Sequence, residues 1–266
     1  MSINNRLSEL LDYMRDLQIT IDRRLTDTER VRPGTAENWS IKDTLAHNGE
    51  WAGRHLAELE AVERGEGWPE NGYDDFEDDE NQAIFETYEH STWEDVETLV
   101  RGAYNRGQAY LARVSKETLL SPLPAENERL IWRHLATSYV THPMIHVWDY
   151  LVKNGHSDLL DTLFGKSFSH RMLALSDDSG WQGTTLYNQA CILARSGKTV
   201  FITSLVANLI DRGRMPGLAA AQQGRIQAAY LQPQPDDTVP RFDYENHIAA
   251  LTGPDPHWPE STRAIS

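Results

Sequence analysis

The sequence predicts an all-α protein in which a four-helix bundle, residues 1–155, is followed by a helical extension, residues 156–266. Three observations lead to this prediction. Long segments repeat apolar residues every three or four positions, polar start signals precede several of them, and no stretch shows the strict alternation of a half-buried strand. Amphipathic helices of this kind bury their apolar faces against one another.

The first three long helices are predicted from their apolar stripes. The first begins near Ile3, and the second begins at Ser40, where Asp43 completes an S-x-x-D start signal. The third follows a similar signal at Ser91 and Glu94, after a short helix at 81–88. The apolar positions are Leu7, Leu10, Met14, Leu17 and Ile21 in the first helix, Ile41, Leu45, Ala52, Leu56 and Leu59 in the second, and Val96, Val100, Tyr104, Leu111 and Val114 in the third.

The fourth long helix is predicted from about Glu128 to Lys153 and carries two histidines, His142 and His146, on its core-facing side. An unpaired buried imidazole costs about 1–3 kcal/mol, so each ring needs a partner. The spacing of four allows the two rings to share a metal ion, or they are two hydrogen-bonded core residues. Pro143 lies between them and predicts a kink or local unwinding between the two rings.

The remaining segments carry weaker signals. The acidic, glycine-bearing stretch 65–80 is predicted to be a long surface loop, either a plain linker or a lid. Residues 159–175 predict one or two helices, and 186–195 with 200–211 predict a helix pair around Ser196-Gly197. The tail from Leu231 holds six prolines and is predicted to be largely extended.

Composition narrows the classes of partner and compartment. The formal charge of −15 disfavours nucleic acid and anionic membrane surfaces. Cys191 is the single cysteine, so no intrachain disulfide can form, and the amphipathic N-terminal segment does not resemble a signal peptide. A cytoplasmic protein that neither spans nor binds a membrane is therefore expected. A homodimer is compatible with the sequence, as is a protein partner bound by the C-terminal helices.

One motif resembles a known family. Residues 39–47, WSIKDTLAH, followed by Trp51, are similar to the W-S-x-K-D-x-L-A-H-x-x-x-W signature of the DinB-like superfamily. Asp79, Asn81, Ile84, Trp93 and Val96 resemble the branch related to the colibactin self-resistance and DfsB proteins. The resemblance covers about residues 1–155 and implies a four-helix bundle with a divalent metal, Zn, Ni, Mn or Fe. Its ligands would be His47, His142 and His146.

Two carboxylates follow these histidines by one helical turn. Glu50 follows His47, and Asp149 follows His146. Each is a candidate fourth ligand, an acceptor for an imidazole N–H, or a catalytic general base acting on metal-bound water. The alternative is an ordinary carboxylate of an acidic protein, exposed or hydrogen-bonded.

A second resemblance lies near the C-terminal helix pair. Residues 187–191, YNQAC, with Gly197, are similar to the first helix and turn of a tetratricopeptide-like (TPR-like) unit. A single unit cannot bury its own apolar face, so a plain helical hairpin packed on the bundle is the favoured alternative.

The resemblances imply an enzyme with a small-molecule substrate. A three-histidine metal site with open positions would serve a hydrolase or a low-molecular-weight thiol transferase in detoxification or stress, and the missing arginine cluster favours hydrolysis. The alternative is a non-catalytic binding or protein-interaction module whose metal is structural or absent.

Overall fold

The computed structural model describes residues 2–68, 77–124, 129–178, 180–185 and 188. Within these residues the protein is mostly helical and has no β-strand, so the all-α prediction is confirmed. The chain divides into two compact units, Met1–Tyr150 and Leu151–Ser266. None of the described helices is both long and apolar enough to cross a membrane.

The described helices keep the predicted order for the first three long helices and the short helix at 81–88, whereas the predicted fourth helix is divided by a π-helical turn. They are α1 (Ile3–Thr20), α2 (Asp27–Val31), α3 (Ile41–Glu63), α4 (Glu77–Tyr88), α5 (Trp93–Arg113), α6 (Lys116–Leu119), α7 (Ile131–Ala136), α8 (His142–Lys153), α9 (Ser157–Phe164) and α10 (Lys166–Leu175). A 3₁₀ turn, Ile21–Arg24, follows α1, and a π-helical turn, Thr137–Thr141, joins α7 to α8. Residues 159–175 therefore belong to two helices. The predicted loop 65–80 is described only in part, and α4 already begins at Glu77.

Two predicted start signals can be compared with the caps in the structure. Ser40 caps α3 as predicted: its hydroxyl oxygen accepts from the Asp43 amide at 3.2 Å, and Asp43 Oδ2 accepts from the Ser40 amide at 2.8 Å. The cap of α5 lies one residue later than predicted, because Thr92 and Asp95 form the capping box there. Reciprocal bonds of this kind fix where a helix begins and thus which residues face the core.

The core of the first unit lies where α5 packs along both α1 and α3, with the π turn against α1 and α3. Its largest fully buried side chains include Tyr104, Tyr110 and Tyr139. In the second unit, Phe164 and Phe168 pack edge to face at 5.5 Å, and the Trp181 indole N–H donates to the Met172 carbonyl at 2.7 Å. Aromatic rings thus contribute buried area in both units.

Pro143 perturbs the helix before the two histidines rather than between them. Residues 142–153 form a continuous α-helix, and the irregularity is the π turn that precedes it. Proline lacks the N–H that would reach the Tyr139 carbonyl in an α-helix. The Tyr104 hydroxyl donates to that carbonyl instead, at 2.7 Å. The predicted unwinding between His142 and His146 is therefore absent. The irregularity near Pro143 is instead the π turn, one turn earlier in the chain.

Gly107 of α5 allows the π turn to approach closely. A Cβ atom added there would lie 2.9 Å from Cε1 of Tyr139 and 3.0 Å from Cδ2 of Leu11. Both neighbours are fully buried, so neither side chain can move away without displacing others. The small residue at 107 is thus a packing requirement of α5.

We predict that Gly107→Ala lowers the free energy of unfolding by about 1–3 kcal/mol, the usual effect of overpacking a core. Gly102→Ala is the matched control, because Gly102 is an exposed position of the same helix with no atom within 4 Å of an added Cβ. There, alanine should raise stability by about 0.5–1 kcal/mol through helix propensity. Urea unfolding followed by circular dichroism measures both, and equal effects would contradict the packing argument.

Candidate functional site

Three histidines from two helices meet in the first unit. His47 lies on α3, and His142 and His146 lie one turn apart on α8. Their Nε2 atoms are separated by 3.3 Å for His47 and His142, and by 3.0 Å for His142 and His146. One ligand atom from each of the three lies within 4.8 Å of the others. The three histidines predicted as ligands are therefore brought together, and we call them the histidine triad.

Two tryptophans border the histidine triad. The Trp39 ring lies 4.6 Å from the His47 ring and 6.1 Å from the His146 ring. Trp51 lies 6.2 Å from His47, and its indole N–H donates to Asn81 Oδ1 at 3.0 Å. These rings restrict water around the imidazoles, since Trp51 is buried and Trp39 is only partly exposed.

Burial keeps two imidazoles of the triad neutral. It lowers the pKa of His47 well below the ordinary value of 6.5, and the neighbouring His146 and His142 lower it further. Burial, followed by His146 and His55, has the same effect on the pKa of His142. Neutral imidazole is the form that coordinates a metal ion.

The separations fit a shared ion. Two nitrogens bound tetrahedrally at 2.0–2.1 Å from one metal lie about 3.3 Å apart. A purely hydrogen-bonded triad fits less well, because His142 Nε2 faces both neighbours and carries at most one hydrogen to donate. The Nδ1 atoms of His47 and His142 are buried and have no hydrogen-bond partner among the described residues, so no such residue fixes the tautomer of either ring.

Glu50, one of the two predicted carboxylates, is held by other side chains. Its Oε1 accepts from Arg54 Nε at 3.0 Å, and its Oε2 accepts from the Tyr88 hydroxyl at 3.0 Å. Asp149 is half-buried on α8. Among the described residues, the three histidines are the group of three or more ligand-type residues close enough to share one ion, and neither carboxylate belongs to it. A catalytic role for Glu50 or Asp149 stays a prediction.

A second buried polar cluster was missed by the sequence analysis, which gave His55 and His134 no role. Glu58 of α3 and His134 of α7 are only 4% and 5% exposed, and Glu58 Oε2 lies 3.8 Å from His134 Nε2. The His55 and Trp68 rings pack edge to face against His134 at 5.2 and 5.7 Å. A usable signal existed, because His55 and Glu58 are three positions apart on one helix face.

The charges of this cluster are suppressed. Burial, and then the nearby Glu80, raises the pKa of Glu58 from 4.5 to about 7. Burial lowers the pKa of His134 to about 3 and that of His55 to about 4. Near neutral pH the metal-free cluster therefore contains uncharged imidazoles beside a carboxyl group that is only partly ionised.

We predict that Glu58 makes the metal-free protein less stable as the pH rises. The folded protein holds this proton up to about pH 7, whereas the unfolded chain releases it near 4.5, so rising pH favours unfolding between these values. Relative to Glu58→Gln, the wild-type protein should lose up to about 3 kcal/mol between pH 4.5 and pH 8. Denaturant unfolding in a chelating buffer measures the difference, and a constant difference across this range would contradict the prediction.

Comparison with known proteins finds similarity in the C-terminal part of the chain. The model of the YcjX-like family, DUF463, matches residues 192–266. The Ras-like GTPase YcjX of Escherichia coli (strain K12) is 42% identical over 77 residues, which are 28% of this chain and 17% of that protein. Its Shewanella oneidensis (strain MR-1) counterpart is 36% identical over 85 residues, 28% of this chain and 18% of that protein. The chain thus spans under a fifth of the length of these relatives, and no solved structure matches.

These matches show that the assignment to the DinB-like superfamily was wrong, because the family similarity is YcjX-like. The motif at 39–51 has local causes instead: Ser40 and Asp43 cap α3, and Trp39 and Trp51 pack around His47. The TPR-like resemblance at 187–197 is not confirmed, and the match to the YcjX-like family begins at residue 192, inside that segment. The predicted detoxifying hydrolase or thiol transferase was wrong, and the alternative, an interaction module, is equally unsupported. The prediction that the three histidines bind a metal is now supported by their geometry and no longer by a family resemblance.

A further signal lies in the matched segment. Residues 192–199 read ILARSGKT, and Gly197-Lys198-Thr199 has the form that ends the phosphate-binding loop G-x-x-x-x-G-K-[ST]. The first glycine of that pattern is replaced by Ile192. Gly197 was predicted only as a turn residue, and Lys198 had no predicted role. These residues, like the proline-rich tail and the predicted helix pair apart from residue 188, lie outside the described residues.

Proposed function

We propose that the histidine triad binds one divalent transition-metal ion. The observation that carries the proposal is the 3.3 and 3.0 Å spacing of three Nε2 atoms from α3 and α8. Imidazole nitrogen suits Zn, Ni, Fe and Cu, and the neutral state of the buried rings favours coordination over protonation. Three protein ligands leave at least one position for solvent or another ligand. A four-helix bundle over residues 1–155 is the architecture that we propose for this site.

We predict that full-length protein, purified without a histidine tag and reloaded with Co²⁺, loses one equivalent of metal per chain in the His142→Ala/His146→Ala variant. His47→Ala should weaken metal binding by at least about tenfold. Removing a residue that only hydrogen-bonds to a ligand already costs about that much, and a direct ligand costs more. His90→Ala is the matched control, since the His90 side chain is 92% exposed. Elemental analysis and the cobalt absorption bands report the result. Metal content unchanged in the double variant would refute the site.

We also propose a second function, in which residues 192–266 contribute to binding the phosphates of a guanine nucleotide. The similarity to proteins named Ras-like GTPases and the Gly197-Lys198-Thr199 sequence support this proposal. In such loops the lysine reaches the β- and γ-phosphates, and the hydroxyl binds Mg²⁺. Because Ile192 replaces the first glycine, this segment departs from the full pattern.

We predict that the full chain binds a fluorescent GTP analogue in the presence of Mg²⁺ and that Lys198→Ala weakens binding at least about tenfold, the effect of losing one strong charged hydrogen bond. Lys116→Ala, at an exposed position of α6, is the matched control. Fluorescence anisotropy measures the affinity. Equal binding by Lys198→Ala and wild type, or no binding by either, would refute this second function.

A further inference from the structure

The buried polar cluster at the ends of α3 and α7 contains three ligand-type atoms that nothing in the described chain satisfies. Both carboxylate oxygens of Glu58 and the Nε2 atom of His134 are buried and have no hydrogen-bond partner among the described residues. Such groups are rare in native proteins, because each costs about 1–3 kcal/mol. Three of them close together require a cause, such as an ion that the protein binds.

A simple ion pair does not explain the cluster. The 3.8 Å between Glu58 Oε2 and His134 Nε2 exceeds a hydrogen bond, and the second carboxylate oxygen would remain unpaired. Removing two charges from water costs several kcal/mol per ion unless good hydrogen bonds accompany the pair. The raised pKa of Glu58 and the lowered pKa of His134 agree that burial opposes both charges.

We propose that Glu58 and His134 form a second binding site for a divalent transition-metal ion, separate from the histidine triad. A metal bound tetrahedrally at about 2.0–2.2 Å from an imidazole nitrogen and a carboxylate oxygen holds the two atoms about 3.4 Å apart, so the observed separation of 3.8 Å would close by about 0.4 Å on binding. One ion would satisfy His134 Nε2 and the carboxylate together and would neutralise the buried negative charge. Mixed nitrogen and oxygen donors suit Zn²⁺ or Co²⁺ better than Ca²⁺.

The helix arrangement places this site away from the triad. His55 follows His47 by eight residues on α3, which is about 12 Å of helix rise. His134 precedes His142 by the same eight positions, and the rings pair as His47 with His142 at 5.1 Å and His55 with His134 at 5.2 Å. The two segments therefore run antiparallel, and their histidine pairs lie at two levels. Glu58 and His134 belong to the second level.

The test is Co²⁺ titration of the whole 266-residue chain, free of tags and stripped of metal. We expect two equivalents per chain for wild type and one for Glu58→Gln or His134→Gln. The His142→Ala/His146→Ala variant should also keep one equivalent, and its combination with Glu58→Gln should keep none. The affinity of the Glu58 and His134 site for Co²⁺ should fall at least tenfold in Glu58→Gln and in His134→Gln. Glu117→Gln and His90→Ala, at exposed positions, should retain both equivalents.

The variants separate this inference from the triad proposal. If the triad binds no metal, wild type still binds one equivalent that Glu58→Gln abolishes. Wild-type binding that disappears entirely in the His142→Ala/His146→Ala variant would overturn the second site, as would unchanged stoichiometry and affinity in both Glu58→Gln and His134→Gln. Circular dichroism confirms folding, and two substitutions on different helices guard against a local folding defect in one of them.

Discussion

The missing N–H of Pro143 is the constraint on which the arrangement around the triad depends. Position 143 cannot supply the α-helical donor to the Tyr139 carbonyl, and that carbonyl accepts from the Tyr104 hydroxyl. The same hydroxyl accepts from Gln18 Nε2 at 2.8 Å, and Gln18 Oε1 accepts from Asn48 Nδ2 at 2.9 Å. This buried chain of bonds connects α1, α3 and α5 to the π turn. Because Asn48 follows His47 and the π turn precedes His142, both sides of the triad are tied to one network.

Sequence reasoning could predict the features that depend on local patterns. Apolar periodicity indicated the long helices, and the Ser40–Asp43 signal gave the start of α3. The convergence of His47 with His142 and His146 was predicted only through a family resemblance that proved wrong as an identification. The three residues meet nonetheless, because each of the two helices carries its histidines on the side that faces the same core.

The pairing of His55 with His134 could not be predicted, for a geometric reason. Eight residues rotate an ideal helix by about 80° beyond two full turns, so an ideal helix sets His55 to one side of His47, and His134 to one side of His142. The π turn between His134 and His142 rotates the chain less per residue than an α-helix and so offsets part of this rotation, and no periodicity reveals a π turn in advance. Glu58 was overlooked for a related reason: its burial arises from tertiary packing, whereas carboxylates in an acidic sequence are ordinarily exposed.

Charge distinguishes the two proposed metal sites. Three neutral imidazoles leave a bound divalent ion with its full charge in a partly buried place, and the nearby Glu50 already shares its carboxylate with Arg54 and Tyr88. An anionic exogenous ligand at the triad would therefore be favoured over a neutral one. The Glu58 site supplies one negative charge itself and has less need of an external anion. On this argument, a metal at the triad would favour an anionic ligand more than a metal at the Glu58 site, which lies beside Trp68 and His55.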